Sequence, residues 1–171
     1  ILCTFWANWY QKQVMTVQYG LGKRGYVNPN TGEPASGPET LPDEEMARNR
    51  TDLGAAIKAH PMDDQYHRDR SPVWSKITIP LLSSANWGGQ GLHPRGNFEG
   101  FTQPASKQKW LEVHGLEHWT EFYTRYGVTL QKRFFDHFLK GLDNDWKNQP
   151  RVQLQIRRLD GFVQRAENEW P

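Results

Sequence analysis

The spacing of apolar residues predicts an α/β fold for this 171-residue chain, and three observations carry the prediction. Two short apolar runs with β-branched residues, 77–84 and 109–113, read as strands. Segments of helical spacing, 92–103 and 121–140, follow them in turn. Val152, Leu154 and Ile156 then recur at period two, the signature of a strand with one buried face. Strand, helix, strand, helix is the order of a layered α/β structure.

The remaining elements follow in chain order. Phe5, Trp6, Trp9, Tyr10, Gln13 and Val17 advance by threes and fours, predicting a packing helix over 1–18 that Gly20 and Gly22 end. Pro29, Pro34, Pro38 and Pro42, with Gly32 and Gly37 among them, make 28–42 an irregular connection. One helix is expected over 43–59, because Asp43, Glu44 and Glu45 complement the dipole of its first turn and Pro61 follows its end. The first strand delivers a glycine-rich loop at Gly88, Gly89 and Gly91, and Pro94 interrupts the helical segment that follows. In the long helix, Val128, Gln131, Phe134, Phe135, Phe138 and Leu139 are expected to form the face packed on the sheet, with Gly141 at the C-terminal cap.

Composition narrows the function classes. Leu, Ile, Val and Phe number only 35, yet the net charge is +2 and there are 22 aromatic residues, so an ordered chain with sparse aliphatic content is expected. A hydrophobic fraction of 36% suits a segment whose most buried strands lie elsewhere in a longer polypeptide. The start Ile1-Leu2-Cys3, without a basic region or an initiator Met, reads as an arbitrary cut. The 21 Lys and Arg are interleaved with 19 acidic residues, which argues against a nucleic-acid partner. No run approaches the roughly 20 apolar residues of a membrane span. Cys3 is the single cysteine, so neither an intrachain disulfide nor a cysteine-based metal cluster is expected, and the compartment stays open.

The densest chemistry lies in Glu112-Val113-His114-Gly115-Leu116-Glu117-His118-Trp119, where a strand enters a loop before a helix. A histidine there can take a proton from a serine hydroxyl and return it to a leaving group if an acid orients its ring. His118 has that position, although local sequence equally fits a histidine that merely caps the loop. His114 to His118 also match H-x-x-E-H, an inverted zinc-protease motif, but ligands at i and i+4 need one continuous helix and here a strand and Gly115 intervene. Glu99 and Glu117 are the nearest candidate acids, and no G-x-S-x-G supplies a nucleophile. The cluster Asp63, Asp64, His67, Arg68, Asp69 and Arg70 reads as ion pairs bracing a loop.

Two stretches then resemble a known family. Residues 83–97, Ser-Ser-Ala-Asn-Trp-Gly-Gly-Gln-Gly-Leu-His-Pro-Arg-Gly-Asn, and 134–141, Phe-Phe-Asp-His-Phe-Leu-Lys-Gly, are similar to the X-Pro dipeptidyl-peptidase and cocaine-esterase type of serine hydrolase. His60-Pro61, Asp63-Asp64, Arg70-Ser71-Pro72, the passage to His118, and Glu169-Trp170-Pro171 agree with it. The resemblance implies an α/β-hydrolase fragment: a helical cap over 1–75, the last strands and helix of the hydrolase sheet over 76–141, and a linker with the first strand of a C-terminal β jelly-roll domain over 142–171. It implies that His118 is the catalytic general base, that the nucleophile lies outside the chain, that no cofactor is needed, and that the substrate is a small ester or a short peptide. The family's acid position, an Asp after a Trp at the strand end, falls on Gly88 or Gly89. A non-catalytic truncated or interaction domain is the alternative that the missing nucleophile motivates.

Overall fold

The computed structural model describes residues 4–88 and 93–170; at several positions of the first helix and at His118 it describes the backbone alone. The chain divides into two compact units, 1–71 and 72–171.

In the first unit, helix α1 (Thr4–Val17) packs on α3 (Leu53–Ala59). Gly20 and Gly22 follow α1 with φ of 92° and 52°, backbone that a side chain disfavours. A Cβ on Gly20 would lie 2.7 Å from Leu41, so the turn also needs the missing side chain to let 39–41 approach. The proline-rich connection is irregular as expected, pinned by isolated bridges between Leu21 and Thr40 and between Val27 and Pro34.

The single helix expected over 43–59 is two: α2 (Asp43–Arg48) and α3. Asp52 breaks it, since its carboxylate accepts the Ala55 N–H at 3.0 Å and caps a new N-terminus. The charged cluster beyond braces a loop. Asp64 caps the short helix α4 (Gln65–Arg68) and meets His60 Nδ1 at 2.6 Å, and that hydrogen bond holds its carboxyl below the usual range. His60 stacks on Tyr66 at 4.2 Å between ring centres, and the Arg70 guanidinium covers the other ring at 3.6 Å.

The second unit is a four-stranded mixed sheet in the order β1 (Leu81–Asn86), β2 (Lys109–His114), β3 (Val152–Arg158), β4 (Gly161–Glu167). The first three strands run parallel and β4 returns antiparallel. Strand β1 begins later than the apolar run 77–84 suggested. Pro80 has no N–H to give a ladder, and pairing starts where Leu81 N donates to Gln108 O at 2.9 Å. Helix α5 (Pro94–Thr102) opens on Pro94 rather than breaking there, because its missing N–H lies among those with no helical partner; Leu92 falls outside the described residues.

Alternation along β2 sends its residues to two cores. Leu111 and Val113 join Ala85, Val152, Leu154 and Phe101 of α5 on one face. Trp110 joins Leu130, Phe134 and Trp146 on the other. The helix expected over 121–140 divides into α6 (His118–Phe122) and α7 (Arg125–Lys140), because Thr124 Oγ1 accepts the Gly127 N–H at 3.2 Å and starts a fresh helix. Gly141 closes α7 in the left-handed conformation, φ 67°.

The packed face of α7 also differs from expectation. Tyr126, Leu130, Phe134 and Phe138, each four residues on, turn toward the sheet, whereas Val128 and Phe135 are half exposed and Leu139 is 76% exposed. Strand β3 carries the predicted alternation, and its Val152 and Leu154 are buried. Strand β4 had no recognisable pattern, because nearly all of its residues are exposed and nothing enforces alternation. No helix among the described residues is long and apolar enough to cross a membrane.

Candidate active site

Parallel pairing brings two loops to one edge of the sheet. Asn86 lies opposite His114, so the chain leaves β1 and β2 side by side at their C-terminal ends. That is where parallel α/β sheets place their chemistry, since the loops there are free of the ladder. Trp87 N donates to His114 O at 2.9 Å, which ties the two exits together. A Cβ on Gly88 would lie 3.0–3.1 Å from the Leu116 and Glu117 backbone, so the close approach of these loops favours glycine. Gly89, Gln90, Gly91 and Leu92 lie outside the described residues.

The turn that carries His118 is held at both ends by one residue of β3. Gly115 N donates to Gln155 Oε1 at 2.8 Å, Gln155 Nε2 donates to Glu121 Oε1 at 3.4 Å, and Gln155 O accepts from Trp87 Nε1 at 2.9 Å. His118 is the first residue of α6, and its side chain lies outside the described residues. His114 ends β2, so H-x-x-E-H bridges a strand and a helix instead of lying on one helical face. Of the two acids singled out in the sequence, Glu117 accepts from Thr120 Oγ1 at 3.3 Å and Glu99 from Gln103 Nε2 at 3.1 Å.

A third acid, which sequence reasoning missed, is the buried one. Glu112 is 2% exposed, in the middle of β2 on the α7 face. Its Oε2 meets Ser84 Oγ of the paired β1 position at 2.5 Å and His114 Nδ1 at 3.0 Å, while Oε1 meets Tyr126 OH of α7 at 3.3 Å. Two hydroxyl donors and one ring nitrogen therefore surround this carboxyl group and replace the water it has lost. Burial first, and then the charge of Glu112, push the Tyr126 phenol far above its ordinary range. In the neutral ring this contact places the His114 proton on Nδ1, and buried Nε2 has no hydrogen-bond partner among the described residues.

Beside this network lies a cavity of about 310 Å³ between α7 and the strands. Leu82, Phe122, Leu130, Phe134 and Phe135 contribute apolar walls, and Ser84, Glu112, His114 and Tyr126 contribute polar ones. The signal that could have revealed the site is the pattern of β2 itself: Trp110, Glu112 and His114 alternate on one face of an otherwise apolar strand.

No family model and no curated protein matches the chain. Two crystal structures of a CocE/NonD family hydrolase from Staphylococcus aureus do match, each at 42% identity with a TM-score of 0.67. The match covers 71% of this chain and 22% of that hydrolase, so the chain spans about a fifth of its length.

Proposed function

The chain is related to the CocE/NonD family hydrolases, and on that premise we propose that it supplies the histidine-bearing part of a serine hydrolase of the cocaine-esterase type. In this reading, residues 76–141 are the last strands and helix of the hydrolase sheet. Residues 1–75 form a helical cap, and residues 142–171 open a jelly-roll domain. The serine nucleophile comes from polypeptide outside these residues. His118 takes the serine proton as acyl transfer begins and returns it to the leaving alcohol or amine. The substrate is a small ester or a short peptide.

The observation that supports the reading most is the 42% identity to a protein named as a hydrolase, together with the place of His118 just past the C-terminal end of a parallel strand. The hydrogen bonds that tie Gly115 and Glu121 to Gln155 suit a base that must meet its partner within hydrogen-bond reach.

The test uses the complete polypeptide that contains this segment, assayed with an aryl ester. His118→Ala should lower kcat by about 10⁴-fold or more, the loss typical of removing a triad base. Its labelling by a serine-directed phosphonate should slow in parallel. A variant that keeps full turnover would show the assignment wrong and move the role to another histidine.

A further inference from the structure

We propose that the cavity beside Glu112 and His114 is a binding site for a small aromatic alcohol, whose hydroxyl donates to His114 Nε2. The inference does not depend on the hydrolase reading.

It starts from the atom left over. Ser84 and Tyr126 donate to Glu112 and His114 Nδ1 faces it at 3.0 Å, so the hydroxyl protons on this wall are already engaged inside the protein. Gln131 Nε2, also on the cavity wall, donates to Phe122 O and Gly127 O. His114 Nε2 is buried and, among the described residues, unpartnered, although a buried polar nitrogen without a partner is costly and rare. In the neutral ring, with the proton on the Nδ1 that faces Glu112, Nε2 is bare, and the group that complements it is a donor, a hydroxyl or an N–H.

The walls decide the rest of the molecule. Phe122, Phe134 and Phe135 with Leu82 and Leu130 make an aromatic and aliphatic lining. A volume of about 310 Å³ lies at the lower end of the range for small-molecule sites and exceeds the roughly 150 Å³ apolar cavity that holds benzene. An anionic ligand would meet the Glu112 and Glu121 carboxyl groups on the same wall and is disfavoured. One aromatic ring carrying one hydroxyl satisfies both the lining and the orphaned nitrogen.

Benzyl alcohol and benzyl methyl ether separate this proposal from simple greasy binding, because the ether keeps the ring and the oxygen but cannot donate. Titration of the complete polypeptide that contains this segment, followed through the imidazole nitrogens of histidine labelled with ¹⁵N, should show the alcohol binding about threefold to tenfold more tightly than the ether, the worth of one net hydrogen bond. The Nε2 resonance of His114 should move away from the position of a bare imidazole nitrogen as the alcohol fills the site. His114→Leu should erase the preference while leaving ring binding in place. If that variant fails to fold, the comparison of the two probes on the unaltered chain, with its nitrogen readout, decides alone. Equal binding of alcohol and ether, an ether that binds better, or no binding of either probe by the folded chain would overturn the proposal; the first is also what a resident water on Nε2 would produce.

Discussion

Replacing Gly127 with alanine sets two effects of known sign against each other. Gly127 is the third residue of α7, and on helix propensity alone alanine there would gain about 1 kcal/mol. The added Cβ, however, would lie 2.2 Å from Glu121 O and 2.9 Å from Phe122 O, against the 3.4 Å at which ordinary contact begins. These are backbone atoms, and Glu121 O is already fixed by Thr124 Oγ1 at 2.7 Å and Thr124 N at 3.2 Å. No rotamer change relieves the overlap, so α6 must shift or the α7 cap must open. Overpacking of this kind costs about 1–3 kcal/mol, and contact with pinned backbone puts this case at the upper end. The clash therefore wins, leaving Gly127→Ala destabilised by about 1–2 kcal/mol and its Tm lowered by about 2–8 °C. Thermal unfolding followed by circular dichroism measures it. A Tm equal to or above that of the unaltered chain would refute the reasoning, because propensity would then have prevailed.

Two further perturbations probe the α7 face and its charges. Trp146 is 1% exposed and meets Trp110 and Phe134 edge-on at 5.4 and 5.3 Å, so Trp146→Ala should lose about 3–5 kcal/mol in urea unfolding; a loss below about 1.5 kcal/mol would mean the cluster closes over the gap. Asp136 lies between Lys132 and Lys140, whose hydrogen bonds hold its carboxyl below its ordinary 3.8. A depressed folded value stabilises the protein above the unfolded pKa and loses that contribution as pH falls through the folded one. Asp136→Asn should therefore be less stable than the unaltered chain at pH 7, with the gap in Tm closing on acidification below about pH 4. A gap that widens as pH falls would contradict this sign.

Much of the sheet was legible because burial enforces periodicity. The β2 run 109–113 and the β3 alternation at Val152, Leu154 and Ile156 announce themselves, and both strands sit where one or both faces meet a core. Helix breaks were less legible. Asp52 and Thr124 each cap a new helix inside a stretch whose average propensity stays high, and propensity summed over a window blurs a single side chain. Of the expected α7 face, Phe134 and Phe138 pack on the sheet, but Val128, Phe135 and Leu139 are apolar yet exposed, so polarity alone draws the face too wide. Glu112 was passed over for a related reason. An acid in a strand reads as a solvent-facing residue, and only the register with Ser84 and the crossing of Tyr126 reveal the donors around it. His118 was singled out by position and resemblance, and position is what the backbone describes: the head of α6, one turn past β2.

The strand order also sets a timetable. Strands β3 and β4 form a hairpin through Leu159 and Asp160, a local closure that takes microseconds. Strand β2 instead has its two parallel neighbours on opposite sides in the sequence, with β1 behind it and β3 beyond α6 and α7. A chain growing on the ribosome adds residues 115–158 in roughly two to nine seconds, and during that time the β2 edge has no β3 to receive it. For those seconds Leu111 and Val113 border an open strand edge, the kind of template on which nascent chains pair wrongly. The amphipathic helix made in the interval, α7, covers the Trp110 face and leaves this edge open until β3 arrives.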